Sequence, residues 1–168
     1  MPAIADAGFI IALRSKDAAE RKWARDILSE VKPPFLTCEA VLAEAAHFVD
    51  NAWLLRMVAD DHIRVAFNLT EQLEGVNRFV VKYADQGVDL ADACIARMSE
   101  LFPAQIIYSV DAAHFLLMRR FGNEPLPVTL LPKTPASPAS RPSAGTEEAE
   151  DGGQEEQKCG IAGRIRTL

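Results

Sequence analysis

Cysteine is scarce in this sequence: there are three in 168 residues, Cys38, Cys94 and Cys159, and no two stand in CxxC spacing. That excludes a disulfide framework and a paired-cysteine zinc site, and leaves reduced thiols. Long apolar runs are missing too. The longest uncharged stretch, Leu101 to Val110, is ten residues, well short of the roughly 18 that begin to suggest a membrane span. No membrane association is expected. The three histidines, His47, His62 and His114, have no mutual metal-ligand spacing and read as structural or exposed rather than catalytic. Basic charge is also short: 18 Lys and Arg face 24 Asp and Glu, a net charge of −6, which excludes a protein that grips nucleic acid through a basic surface alone. No basic residue precedes Asp6, which would interrupt the apolar part of an export signal, so a cytoplasmic protein is expected. Neither a glycine-rich phosphate loop nor a nucleophile elbow around Ser109 is present.

What the sequence does have is enough apolar material for one core. Hydrophobic residues make up 49% of the chain, and their distribution changes abruptly near Pro132. Residues 133–168 hold no aromatic residue and only nine hydrophobic ones. That segment reads as a disordered, low-complexity tail, running from Pro/Ala/Ser through acidic residues to Arg164 and Arg166. The body over 1–132 carries 13 basic and 18 acidic residues, so its acidity does not come from the tail.

Within the body, short apolar runs alternate with amphipathic segments of helix length. Strands are predicted at Ala3–Ala5, Phe35–Thr37, Ile63–Phe67, Gln105–Val110 and Val128–Leu131. Helices are predicted over Asp17–Val31, Glu39–Val49, Ala52–Val58, Thr70–Tyr83, Asp89–Leu101 and Asp111–Arg120, with Pro33-Pro34 and Gly122 as breaks. Alternation of this kind implies an α/β protein: a three-layer α/β/α domain with a mainly parallel central sheet, because parallel neighbours need crossover helices.

Ligands of such sheets gather beyond the carboxyl ends of the strands, and acids stand there. Asp6 follows the first strand and Asp111 follows the fourth. A strand-end aspartate is also a common helix cap, and because Asp111 opens a helix, the cap is the better reading for that residue taken alone. Glu44 has Ala40, Val41, His47 and Phe48 as its helical neighbours, so it is expected on an apolar, core-facing stripe. A buried acid there needs a metal, an arginine or a structural ion pair. Glu39 lies on another side of the same helix. Asp89 and Asp92 share the first turn of a helix, where Asp89 reads as its cap.

The segments Asp6-Ala7-Gly8, Thr37 to Ala45, Asp89-Leu90-Ala91-Asp92-Ala93 and Tyr108-Ser109-Val110-Asp111 together resemble the four acidic motifs of PIN-domain ribonucleases, many of which are toxins of VapBC-type toxin–antitoxin pairs. The resemblance spans Ile4 to about Pro132 in order and spacing. It implies an endoribonuclease dependent on Mg²⁺ or Mn²⁺. Asp6, Glu44, Asp92 and Asp111 match the metal-binding and catalytic acids, with Asp89 and Ser109 in support. RNA is the implied substrate, and the resemblance allows a cognate antitoxin and a homodimer. Two positions depart from the pattern. Gly8 stands where many relatives carry a Ser or Thr hydroxyl, and Ser109 stands where threonine is common.

Converging carboxylates repel one another, and a hard divalent cation relieves that repulsion with the oxygen ligands it prefers. Arg14, Lys16, Arg97, Arg119 and Arg120 read first as solvated charges, with phosphate-backbone contact as the functional alternative. Two other readings compete. A receiver domain also holds Mg²⁺ at strand ends, but its phosphoacceptor aspartate should follow the third strand, where this chain has Asn68-Leu69-Thr70. A catalytically inactive PIN-like binding module would not need acids at all four motifs.

Overall fold

The structure, a computed structural model, describes residues 3–132. The tail expected over 133–168, with Cys159, lies outside the described residues. Five short strands form the central sheet: β1 (Ala3–Ala5), β2 (Phe35–Thr37), β3 (Ile63–Val65), β4 (Ile107–Ser109) and, last in the chain, β7 (Val128–Leu130). All four pairings are parallel. The order across the sheet is β3-β2-β1-β4-β7, with Ile4 in register with both Leu36 and Ile107. Residues of β1, β2 and β4 are wholly buried, as expected of strands covered on both faces.

The crossovers are helical, and the layers are α/β/α. They comprise α1 (Ala7–Ala12), α2 (Ala18–Glu30), α3 (Glu39–Ala45), α4 (Asn51–Ala59), α5 (Leu69–Lys82), α6 (Leu90–Leu101) and α7 (Ala112–Leu117). Local sequence explains most starts. Asp17 accepts from the N–H groups of Ala19 and Glu20, Asp50 from Trp53, and Asn68 from Thr70 and Glu71, each satisfying donors that the first helical turn leaves free. The Pro33–Pro34 bond is cis. No helix among the described residues is long and apolar enough to cross a membrane.

The helix predicted over Glu39–Val49 stops at Ala45, and the strands predicted over Ile63–Phe67 and Gln105–Val110 shorten to Ile63–Val65 and Ile107–Ser109. Two further differences change the path of the chain. Helix α1 was not expected, because Ala-Gly-Phe-Ile-Ile-Ala has no polar face to reveal a helical period. Ala7, Phe9, Ile10 and Ala12 are all buried, so tertiary packing supplies the stability that a six-residue helix lacks by itself. At the other end of the domain the helix predicted over Asp111–Arg120 stops at Leu117. Arg119–Arg120 (β5) pairs antiparallel with Glu124–Pro125 (β6), and the chain reverses through Phe121 and Gly122, both at positive φ. The cause is Arg120. Its buried guanidinium donates to the carbonyls of Ser99 and Pro103 and pairs with Glu124, which a continued helix would prevent.

The sheet order has a consequence for function. From β1 the chain first builds outward through β2 to β3, then returns to place β4 on the other side of β1. The boundary between β1 and β4 is thus the topological switch point, where the crossovers diverge and leave a crevice beyond the strand ends. A receiver domain has another order, with its first strand between the second and third. The observed topology removes that reading.

Candidate functional site

Asp6 leaves β1 and Asp111 leaves the Ser109 end of β4, so both stand at the switch point. Both are also helix caps. Asp6 accepts from the Gly8 N–H to open α1, and Asp111 accepts from the Ala113 N–H to open α7. Capping and convergence are one arrangement here, because each helix begins where its strand reaches the edge of the sheet. Helix α6 contributes the third acid. Asp89 and Asp92 form a reciprocal capping box, and Ala91, Ala93 and Ala96 allow α6 to be buried over much of its circumference. Asp92 is thereby carried inward to 8% exposure.

These residues line one cavity of about 390 Å³ together with Glu44, Gly8, Ile11, Phe48, Val110 and His114. The expectation for Glu44 needs correction. The buried stripe of α3 is Val41 and Ala45, whereas Glu44, His47 and Phe48 lie on its exposed side. Glu44 reaches the cavity from that side, so no core ion pair is required to explain it.

Ser109 ties the site together. Its buried hydroxyl donates to Asp6 Oδ2 at 2.7 Å and accepts from the Asp111 N–H at 2.9 Å. The neighbouring departure, Gly8, has a steric reason. A Cβ there would meet Val110 Cγ2 at 2.6 Å, so a side chain at position 8 requires Val110 to move. The hydroxyl that reaches the first aspartate comes from β4 instead.

His114, expected from sequence to be structural or exposed, lines the cavity. Its Nδ1 stands 2.7 Å from Asp92 Oδ2 and 3.4 Å from Asp111 Oδ2. The signal was present in its spacing, since positions three apart share a helix face and His114 follows Asp111 by three. His47 and His62 are exposed. The basic residues considered for phosphate contact do not line the cavity. Arg97 is held by Gln72 and Glu100, Arg119 by the carbonyls of Leu116, Leu117 and Met118, and Arg120 by the contacts described above. Arg14 lies over the Trp53 ring, and Lys16 is exposed.

Electrostatics follow from that lining. Partial loss of solvent at the cavity pushes Glu44 up to about 7, helped by the charges of Asp6, Asp89, Asp92 and Asp111. Burial and then the charge of Asp89 push Asp92 up to about 6, against the opposing influence of His114. Asp6 is raised by burial despite the Ser109 hydrogen bond. Among the described residues, no three His, Cys, Asp or Glu side chains are gathered closely enough to hold a metal ion as they stand. Several oxygens instead face protein donors: Asp6 Oδ2 meets Ser109 and Gly8, and Asp111 Oδ1 meets Ala113. The donor chemistry nonetheless fits a hard divalent cation: the lining offers only carboxylate oxygens and one imidazole, with no Lys or Arg to offset them.

This charge excess predicts a pH effect of definite sign. Between the ordinary carboxylate pKa and the raised folded values, the folded protein binds more protons than the unfolded chain. Stability therefore rises as pH falls through that window. Glu44→Gln should melt higher than wild type near pH 8, and the difference should shrink toward about pH 5. Thermal melts in a chelator check it, and a difference independent of pH would mean that Glu44 does not feel the other acids.

No protein-family model matches this chain, and comparison with curated proteins gives no match either.

Proposed function

We propose that this protein is a divalent-metal-dependent endoribonuclease, acting on single-stranded or loop RNA at the cavity beyond β1 and β4. The observation that carries the reading is the meeting of acids from four separate segments, Asp6, Glu44, Asp92 and Asp111, at the switch point of a parallel sheet. Gathering these carboxylates around one cavity, with Asp6 and Asp92 buried in its floor, is unfavourable for the folded state unless a counter-charge is bound. The preference for RNA rests on the likeness of the four motifs to PIN-domain ribonucleases. The same likeness supports a cytoplasmic toxin with a cognate antitoxin, and a homodimer.

In this reading Asp6, Glu44, Asp92 and Asp111 would hold Mg²⁺ or Mn²⁺ once their side chains turn toward it, and Asp89 orders the first turn of α6. A divalent ion held by these acids would supply Lewis-acid chemistry, activating water and offsetting charge on the departing oxygen. Ser109 fixes Asp6 and the Asp111 backbone in one relation through its two hydrogen bonds. His114 Nδ1 lies between the carboxylates of Asp92 and Asp111 and positions both beside the cavity. Ile11 and Val110 give the cavity an apolar wall that limits water around the acids.

The test uses the full chain with single-stranded and duplex RNA. Cleavage of the single strand with Mg²⁺ or Mn²⁺, weaker cutting of the duplex and loss of activity in EDTA are the expected results, because unstacked strands can enter a concave site. Equal cutting after chelation would sink the proposal, and so would an intact single strand under every metal condition.

A further inference from the structure

Two aromatic rings among the described residues are exposed, Phe48 at 70% and Phe121 at 55%. The Phe121 ring is covered by the Arg120 guanidinium, 5.4 Å from its centroid. Phe48 differs. Among the described residues no second ring and no cation stands over it, and it lines the acid cavity. The backbone fixes it there. Helix α3 ends at Ala45, and the N–H groups of His47 and Phe48 then donate to the carbonyls of Glu44 and Ala45 at 3.1 and 2.9 Å. Ala46 and Val49 pack against the core on either side of this turn, and Asp50 caps α4 beyond it. Phe48 takes no part in that packing.

The cavity also lacks a charge that a nucleic acid could use. Its lining holds Asp6, Glu44, Asp89, Asp92 and Asp111 and neither Lys nor Arg, so a phosphate backbone meets repulsion everywhere except at a bound metal. Further affinity for a strand has to come from an uncharged group. An aromatic face supplies it, because every nucleobase has a π face to stack on.

We propose that Phe48 is the base platform of this site: one unpaired nucleobase lies against its exposed ring and sets the adjoining phosphate over the acids. The inference rests on the nuclease reading and adds the residue that holds the substrate. The role is one of positioning. Bases within a duplex are stacked on each other and offer no free face, so the preference for single strands follows from Phe48 rather than from the carboxylates.

The full chain and its Phe48→Ala and Phe48→Trp variants are compared in two assays. One is cleavage of single-stranded RNA in Mn²⁺. The other is binding of a short fluorescein-labelled single-stranded RNA in Ca²⁺, which takes the same oxygen ligands. Phe48→Ala should raise both KM and Kd about 5- to 150-fold, the range that loss of one base–aromatic stack covers, while kcat stays near wild type. Phe48→Trp should restore both constants. The melting temperature of Phe48→Ala should match wild type, because the ring lies outside the core. An abasic residue moved along the labelled strand should weaken wild-type binding at one position and cost Phe48→Ala nothing further there, since both changes remove the same contact.

Wild-type KM and Kd in a Phe48→Ala protein that still cuts would overturn the platform and leave the nuclease standing. A wild type that binds the strand through Phe48 yet cuts nothing would overturn the nuclease and leave the platform. A wild type that binds no single strand would overturn both. A fall in kcat with KM unchanged, a lower melting temperature in Phe48→Ala, or abasic penalties that add to it would each overturn the platform.

Discussion

Asp6→Asn should slow RNA cleavage at least about 100-fold, because changes behind a metal's ligands already cost about 10–100-fold and Asp6 would be a ligand itself. The same variant, freed of metal, should melt no lower than wild type. Burial raises the Asp6 pKa, so its ionised form is held in the folded state at a cost that asparagine does not carry. Asparagine keeps an oxygen to accept from Ser109 and the Gly8 N–H. Metal should then separate the two proteins. A ligand bound only by the folded state adds RT ln(1 + [L]/Kd), about 2.7 kcal/mol at a hundredfold excess over Kd, and wild type should gain more of it. Melts in EDTA and in Mn²⁺, beside one cleavage assay, decide between a site acid and a plain cap. If Asp6 only caps α1, cleavage and metal response stay at wild-type levels.

Phe9→Ala should cost about 3–5 kcal/mol of folding stability, the usual range for truncating a buried Phe to Ala in a core. Phe9 is buried on α1 and contacts three rings, with centroids 5.1 Å from Phe35, 5.7 Å from Trp23 and 5.8 Å from Tyr108. It joins α1 and α2 to the sheet. Helix α1 has only six residues, and its Asp6 cap cannot sustain it once that packing is gone, so Asp6 should lose its fixed position and cleavage should fall together with stability. Urea denaturation measures the effect. A loss below about 1 kcal/mol would mean that Phe9 is not the packing centre these distances describe.

Much of the fold was legible. Strands β1 and β2 fall where their uninterrupted apolar residues put them, and α2, α5 and α6 begin within a residue or two of their Asp or Asn caps. Legibility failed where a residue's role depends on a distant partner. Arg120 continues a helical pattern in sequence, yet buried carbonyls at Ser99 and Pro103 draw it into a hairpin. Glu44 has apolar neighbours on its helix, yet the layer above α3 covers Val41 and Ala45 and leaves Glu44 facing the cavity. His114 had the right spacing from Asp111, but its nearest carboxylate belongs to α6.

By itself the sequence determined the alternation of strands and helices, and it set an acid at the end of the first and fourth strands of the sheet. Those features depend on side-chain period, capping and chain stiffness, which act over a few residues. Tertiary structure alone decided that β4 lies beside β1, that Ser109 reaches Asp6 from 103 positions away, and that Asp92 and Glu44 are pushed to about 6 and about 7. Strand order depends on how the crossovers pack on the two faces of the sheet. A raised pKa depends on which charges share a poorly solvated space, and neither is a property of any short stretch of chain.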